Sequence, residues 1–258
     1  MKKFILFILF LFCSFFLNAQ YINYSQFYSS PHSLNPALSG SGEFGRIGVI
    51  YRNQWPLIDN GYQFFTSWID YNLAKSNFSF GINFSNEKVG INSLSTSHVS
   101  PSLSYEINLS YDWVIRSGIQ ISYTNSNFDS QNLLFYDQFQ QNGSINPTLE
   151  NLSAFEKVNY LNLAVGLIAY SNNVWLGASI YNLPKPNISF SDNIENLARL
   201  YSFHGGYNLK LNKVSKHNLS IVPAFNFRII SNISQLDLGT YLNLNPILFG
   251  IFYRGVPI

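Results

Sequence analysis

The residues of this sequence that could carry chemistry are few and are poorly placed for it. A serine hydrolase needs a serine that meets a histidine, and Ser97-His98 sets these two types side by side. Neighbouring side chains of a strand point to opposite faces, so this adjacency does not build a nucleophile and its base. The other histidines, His32, His204 and His217, are far apart and lack metal-ligand spacing. We therefore expect no enzyme activity, no metal and no cofactor.

The N-terminal stretch predicts export from the cytoplasm. Lys2 and Lys3 precede an apolar run that ends at Leu17, and a small-residue cleavage pattern follows at Ala19. We interpret residues 1–19 as a signal peptide. The single cysteine, Cys13, falls within it, so we expect neither disulfides nor thiol chemistry in the mature chain.

The composition excludes several classes of protein. Of 258 residues, 11% are charged and 17% are aromatic, whereas soluble domains carry about 25% charged residues. Without Lys2 and Lys3 the 15 basic residues fall to 13, equal to the 13 acidic residues. A disordered chain would be richer in charge, and a nucleic-acid binder would need a basic stripe. We therefore expect no nucleic-acid partner.

Apolar and small polar residues alternate along most of the mature chain, which is the pattern of β-strands with two unlike faces. Between Phe78 and Ser85, for example, Phe and Ile alternate with Ser, Gly and Asn. The alternation predicts eleven strands, centred near Val49, Ile69, Ile82, Leu103, Ile119, Val165, Ala178, Tyr207, Phe225, Leu238 and Ile251.

Several of these strands approach the length of about 9–11 residues that a tilted strand needs to cross a bilayer. A soluble β-sandwich would carry charges on its outward face, whereas here the second face is Ser, Asn, Gly and Thr. The sequence thus predicts an all-β, antiparallel transmembrane outer-membrane β-barrel. If the chain starts in the periplasm, inner turns should be short and outer loops long. The predicted outer loops are Pro56–Tyr62, Asn86–Ser95, Thr124–Asn159, Asn182–Arg199 and Ser231–Ser234, and all except the last exceed the inner turns.

Aromatic and charged residues support this interpretation. Tyr and Trp residues near strand ends are typical of an interfacial girdle; they are Tyr51, Trp55, Tyr71, Tyr111, Trp113, Tyr123, Trp175, Tyr181 and Tyr201. A charge on the lipid face would cost about 2–4 kcal/mol near the midplane. We therefore expect the isolated charges to face the lumen, where they form a salt-bridge network or a lining that contacts cargo or a plug: Arg46, Asp70, Arg116, Arg228 and Asp237, together with Arg52.

A set of short motifs gives the chain a family resemblance. They are Gln26-Phe27-Tyr28, Leu34-Asn35-Pro36-Ala37-Leu38-Ser39-Gly40, Tyr51-Arg52-Asn53-Gln54-Trp55, His204-Gly205-Gly206-Tyr207, Leu219–Arg228, Gln235-Leu236-Asp237-Leu238 and Tyr253-Arg254-Gly255-Val256-Pro257. In this order and spacing they resemble the PorP/SprF family, outer-membrane proteins of the type IX secretion system of Bacteroidota.

The resemblance implies a non-enzymatic barrel in the cell outer membrane that assists export and surface attachment of specific cargo, such as large gliding adhesins. Its implied partners are outer-membrane lipid, periplasmic components of the secretion system and the cargo itself. The candidate partner-contact or mouth residues are Asn35, Pro36 and Ala37, together with Arg52, Gln54 and Trp55. An equally open interpretation is that the first group closes the periplasmic mouth and the second forms a strand-end turn.

The predicted organisation is a signal peptide (1–19), a periplasmic N-terminal segment (20–43) and a barrel domain (44–258). Because eleven strands end on the outer side, and members of the family continue to about fourteen strands, we expect a C-terminally truncated barrel with a gap between its first and last strands. Two other functions stay open on the same fold: a diffusion channel or hydrophobic-substrate porin, and an outer-membrane lipase or acyltransferase.

Overall fold

The chain folds into one antiparallel sheet of 12 strands in a computed structural model. The structure describes residues 30–42, 44–57, 61–73, 76–90, 94–129, 136–138, 157–190, 194–211, 219–244 and 247–255. The strands are β1 (Arg46–Gln54), β2 (Tyr62–Asn72), β3 (Phe78–Val89), β4 (Leu94–Asn108), β5 (Val114–Phe128), β6 (Lys157–Tyr170), β7 (Val174–Tyr181), β8 (Leu200–Tyr207), β9 (Leu209–Lys210), β10 (Leu219–Ile230), β11 (Ile233–Leu244) and β12 (Ile247–Arg254).

In the described part of the chain, helical structure is confined to short turns. The described ones are α1 (Pro31–Leu34) and two 3-10 turns, Pro36–Leu38 and Tyr136–Gln138. Within the described residues, no helix has the length and the apolar character needed to span a membrane.

All eleven predicted strand centres lie in strands of the sheet. The additional strand, β9, arises because Asn208 interrupts a longer strand. Both β8 and β9 pair with β10, and the pairs Gly206–Ala224 and Leu209–Ile221 belong to one continuous register. The predicted strand around Tyr207 is therefore a single strand with a local break.

Most strands turn the larger part of their apolar side chains outward and their polar side chains inward. In β3, Phe80 and Ile82 are 48% and 45% exposed, whereas Ser79 and Asn83 are buried. The fully buried side chains of the described residues are mostly polar or charged, and large apolar side chains are widely exposed. This is the reverse of a soluble core and the expected distribution for a membrane β-barrel, whose outer face meets lipid.

Strand neighbours follow chain order, and the sheet is open. Over the described residues, β1 pairs only with β2, and β12 pairs only with β11. The predicted gap between the first and last strands is thus confirmed in this part of the chain.

Two details of the predicted architecture are wrong. Most of Asn86–Ser95, a predicted outer loop, is strand, because its polar side chains bond across the sheet: Asn86 Nδ2 donates to Ser97 Oγ at 2.9 Å. Similarly, β5 extends to Phe128, and β6 begins at Lys157. Only the β5–β6 and β7–β8 connections remain long. The predicted difference between long outer loops and short inner turns therefore depends on these two connections. Most of the β5–β6 connection lies outside the described residues.

Two of the residues predicted to form the aromatic girdle do not belong to it. Trp175 and Tyr181 lie on the inner face of β7, on the same side as the buried Ser179. Trp175 packs against His204 with ring centroids 5.9 Å apart, and the Tyr181 hydroxyl donates to the carbonyl of His32 at 2.8 Å. Alternation around Ala178 could have assigned both to the interior, because they share the parity of Ser179.

Candidate functional site

Residues 30–41 lie against the inner face of the sheet, and we call this segment the plug. Its two short turns have local causes: Pro31 and Pro36 each occupy a first helical position, where no N–H is required. Asn35 separates the turns in an extended conformation and accepts a hydrogen bond from the Ala37 N–H at 2.9 Å through its side chain. The sequence therefore encodes a compact double turn rather than a helix or a strand.

Asn35 connects the plug to three strands at once. Its amide nitrogen donates to the carbonyls of Leu167 in β6 and Ala178 in β7, at 3.0 and 3.1 Å, and lies 3.3 Å from Nε2 of His204 in β8. The residue is fully buried. Because one buried amide meets three partners that are distant in sequence, the position depends on the assembled sheet.

Arg116 holds the other end of the plug. Its guanidinium donates to the carbonyls of Ala37 at 3.2 Å and Ser39 at 2.6 Å, and it pairs with Glu106 at 2.8 Å. Only 2% of Arg116 is exposed. The Glu106 carboxylate neutralises the charge of Arg116 within the wall. The Tyr170 hydroxyl donates to the same carboxylate at 3.0 Å.

A second charge cluster fixes the start of the sheet to the plug. Arg46 makes a two-point contact with the Asp70 carboxylate and also donates to the carbonyl of Leu38 at 3.0 Å. His32 of the plug lies 3.4 Å from the same carboxylate, and its other ring nitrogen is 3.1 Å from Ser39 Oγ. Arg46 and Asp70 therefore contact the plug as well as each other.

Three glycines make room for the plug in the wall. A Cβ atom at Gly118 would lie 2.3 Å from the Ala37 nitrogen, and one at Gly81 would lie 2.3 Å from the His32 ring. A Cβ atom at Gly166 would overlap the Asn35 side chain. The wall is thus recessed where the plug contacts it, and we call this recess, lined by Gly81, Ser104, Arg116, Gly118, Gly166 and Ser179, the seat.

Two cavities flank the plug. The lid-side cavity, of about 380 Å³, lies above His32 and is lined by polar wall residues such as Gln120. Ile188 and Phe190 of the β7–β8 connection also line it. The turn-side cavity, of about 390 Å³, lies on the opposite side, between Leu34 and the wall. The plug separates the two spaces.

The predicted lumen charges all lie on the inner face. Besides the clusters of Arg46, Asp70 and Arg116, Arg228 contacts Asp237 at 3.1 Å. Arg254, which sequence reasoning did not single out as a lumen charge, lies 3.4 Å from the same carboxylate. These charges form ion pairs on one face of the sheet; that this face lines a lumen, and that the charges act toward cargo, stay predictions.

The predicted contact residues fall into two separate places. Asn35, Pro36 and Ala37 are buried within the plug. Arg52 and Gln54 lie at the far end of β1, joined by a hydrogen bond of 2.6 Å, and Trp55 follows with a positive φ and 58% exposure. The structure does not bring the two groups together, and their contact with a partner stays a prediction.

Sequence reasoning missed the parts of the site that depend on main-chain geometry. It did not assign His32, Ser39 or Glu106 to any site, although all three carry contacts of the plug or of Arg116. One feature of the sequence could have indicated the site. Strands β3, β5 and β6 each have a glycine at an inward-facing position, and a glycine there marks the close approach of another backbone to the strand.

The adjacent residues Ser97 and His98 contact different partners, and Ser97 accepts a hydrogen bond from Asn86 Nδ2 at 2.9 Å. His98 bonds Thr124 across the β4–β5 pair at 2.8 Å, not Ser97. No group of three His, Cys, Asp or Glu residues suited to a metal ion occurs in the described part of the chain.

Comparison with known proteins agrees with the architecture. The family model of PorP/SprF, described as type IX secretion system membrane protein, matches residues 16–256. A search of curated proteins gave no match. The match covers nearly all of the chain, including the plug and the described strands. It confirms the family resemblance that the short motifs predicted. The chain therefore belongs to the PorP/SprF family of type IX secretion system membrane proteins.

Proposed function

We propose that this protein resides in the outer membrane and assists the type IX secretion system in the export and surface attachment of specific cargo, by binding partners rather than by catalysis. The partners would be periplasmic components of the system and a secreted surface protein such as an adhesin. Export to that membrane would use the predicted signal peptide at residues 1–19.

The observation that carries the proposal is the plug. A diffusion channel needs a continuous lumen, whereas here the interior is occupied by residues that are fully buried and bonded to the wall, among them Asn35 and Ser39. One cavity borders the plug at His32 and another at Leu34. A barrel filled in this way is better suited to holding partners than to passing solutes.

The absence of enzyme activity is part of the proposal. The polar groups of the inner face are mostly engaged with one another, as in the pairs His98–Thr124 and Arg116–Glu106. Such pairing supports a structural interior, because a nucleophile requires a base and an orienting group within reach.

Deleting the gene tests the function. We expect one large surface protein either to accumulate in the periplasm or to be released into the medium, while nutrient uptake stays normal. Restoring the gene should restore surface display. Lost uptake with intact surface display would instead favour the alternative, a diffusion channel or hydrophobic-substrate porin, for which the polar lining of the lid-side cavity is the supporting feature.

Protease treatment of intact cells tests the orientation. The β5–β6 connection, residues 129–156, should be cut from outside unless a partner covers it, because connections of this length are usually functional or disordered. Cleavage only after the outer membrane is permeabilised would reverse the proposed topology.

A further inference from the structure

The wall recognises the plug mainly through its main chain. Arg116 donates to the carbonyls of Ala37 and Ser39, and Ser104 also donates to Ser39. On the other side, Ser179 donates to the carbonyl of Leu34 at 2.8 Å. Any peptide that follows the same path carries these carbonyls, so most of the wall's donors do not require this particular segment.

Two features make the recognition selective. Asn35 supplies the side-chain amide that bonds β6 and β7, and Pro36 fixes the turn that follows it. Gly118 and Gly166 leave space for this turn and for little else, because a Cβ atom at either position would overlap it. The seat is therefore complementary to an Asn-Pro turn that is followed by a small residue, here Ala37.

The plug is also chemically separable from the wall. Residues 30–41 contain no Asp, Glu, Lys or Arg, so the charge pairs Arg46–Asp70 and Arg116–Glu106 are complete within the sheet itself. Moreover, the cavities of about 380 and 390 Å³ border the plug on two sides. Removal of the plug would leave neutralised charges and a hydrated space, not an unpaired buried ion.

We propose that the seat is a peptide-binding site, that the chain's own plug occupies it in this structure, and that an uncharged Asn-Pro peptide from another polypeptide can take its place. This goes beyond the proposed function, because it identifies a binding site and the chemistry of its occupant and does not require that the occupant be cargo.

Thiol labelling tests the proposal directly. The chain expressed from Gln20 lacks cysteine, because Cys13 is the only one, so Ser179→Cys gives a single thiol beneath the plug. A protease site inserted after Gly42 lets the full chain fold with its plug in detergent micelles and lose it after cleavage and washing. The synthetic peptide of residues 30–41 is then added, and reaction with a charged maleimide is followed.

We expect the thiol at position 179 to react slowly before cleavage, quickly after washing, and slowly again with the peptide. The same peptide carrying Asn35→Ala should need an at least about tenfold higher concentration, equal to about 1.4 kcal/mol of binding. Ser220→Cys is the matched control, since Ser220 is buried in β10 and lines neither cavity beside the plug, and its labelling should stay constant throughout.

Four results would overturn the inference. A thiol at position 179 that stays protected after cleavage and washing would make the plug a permanent part of the wall. A reactive thiol that millimolar peptide fails to protect, or that both peptides protect equally, would show that the seat does not recognise the Asn-Pro turn. Labelling of Ser220→Cys that changes in parallel would trace the signal to unfolding. None of these readouts involves secretion, so the test is independent of the proposed function.

Discussion

Two regions of the inner face of the sheet differ in the partners of their polar and charged side chains. In the plug wall, formed by β3–β7, buried polar side chains are paired with the main chain of the plug, as Ser104 is with Ser39. In the C-terminal wall, formed by β10–β12, the charges pair with one another: Arg228 and Arg254 share Asp237. In β12 nearly all residues on both faces are exposed, including Leu248 at 58%. The difference indicates that burial of the inner face depends on what occupies it, not on strand pattern alone.

The largest expected effect comes from removing the cation of the plug wall. Arg116→Met removes the ion pair with Glu106, which keeps only the Tyr170 hydroxyl, and the bonds to the carbonyls of Ala37 and Ser39; breaking a buried pair costs about 3–5 kcal/mol. Arg228→Met should cost less, about 1–3 kcal/mol, because Asp237 keeps Arg254 and Gln235 as partners. The free energy of unfolding in urea, followed by the heat-modifiable gel band, measures both. Equal losses would abolish the contrast between the two walls.

The next effect should be common to both walls. Ile82→Arg in β3 and Leu238→Arg in β11 each place a charge on the exposed apolar face, at a cost of about 2–4 kcal/mol in a bilayer. Asn83→Arg, which points to the lid-side cavity, is the control and should assemble. The folded fraction inserted into lipid vesicles measures the effect. If Asn83→Arg blocks assembly while Ile82→Arg does not, the two faces are reversed.

Adding one methyl group to a glycine should distinguish the walls more finely. In Gly118→Ala the new Cβ meets plug backbone, 2.3 Å from the Ala37 nitrogen, and overpacking of this kind costs about 1–3 kcal/mol. In Gly250→Ala the nearest atom is 3.0 Å away in the Tyr241 ring, a side chain that can shift. Protease sensitivity of the plug should rise only in the first variant. Unchanged protease sensitivity of the plug in Gly118→Ala would mean that β5, and not the plug, shifts to make room for the methyl group.

The smallest expected effect lies outside both regions, at the end of β1. Arg52→Ala removes a hydrogen bond to Gln54 in a partly exposed position, so stability should change by less than about 0.5 kcal/mol. If this end contacts a partner, co-purification of secretion components should fall without loss of the folded band. A large loss of stability would instead assign Arg52 a structural role.

The parts of the fold that follow local alternation could be predicted from the sequence. The inward direction of Asp70 and the outward direction of Ile82 both follow from strand parity and the composition of the two faces. The open edge also followed from the number of strands. These features depend on neighbours along one strand, which the sequence displays directly.

The plug could not be predicted in the same way. Leu34-Asn35-Pro36 was identified as a motif, but its burial depends on Gly118 and Gly166, which become its neighbours only when β5 and β6 pair. Likewise, the polar residues around Asn86 suggested a loop, because their cross-strand bonds to Ser95 and Ser97 appear only in the paired sheet.

The wide sequence separation of the plug contacts has a consequence for the order of folding. Asn35 bonds partners 132, 143 and 169 residues further along the chain. Contacts this distant form late, because loop closure must precede them. The plug leaves the ribosome before any strand does, yet it can settle only after β8 has joined the sheet. A segment synthesised before the strands is therefore among the last to reach its native place, and during assembly the inner face of the sheet is transiently uncovered.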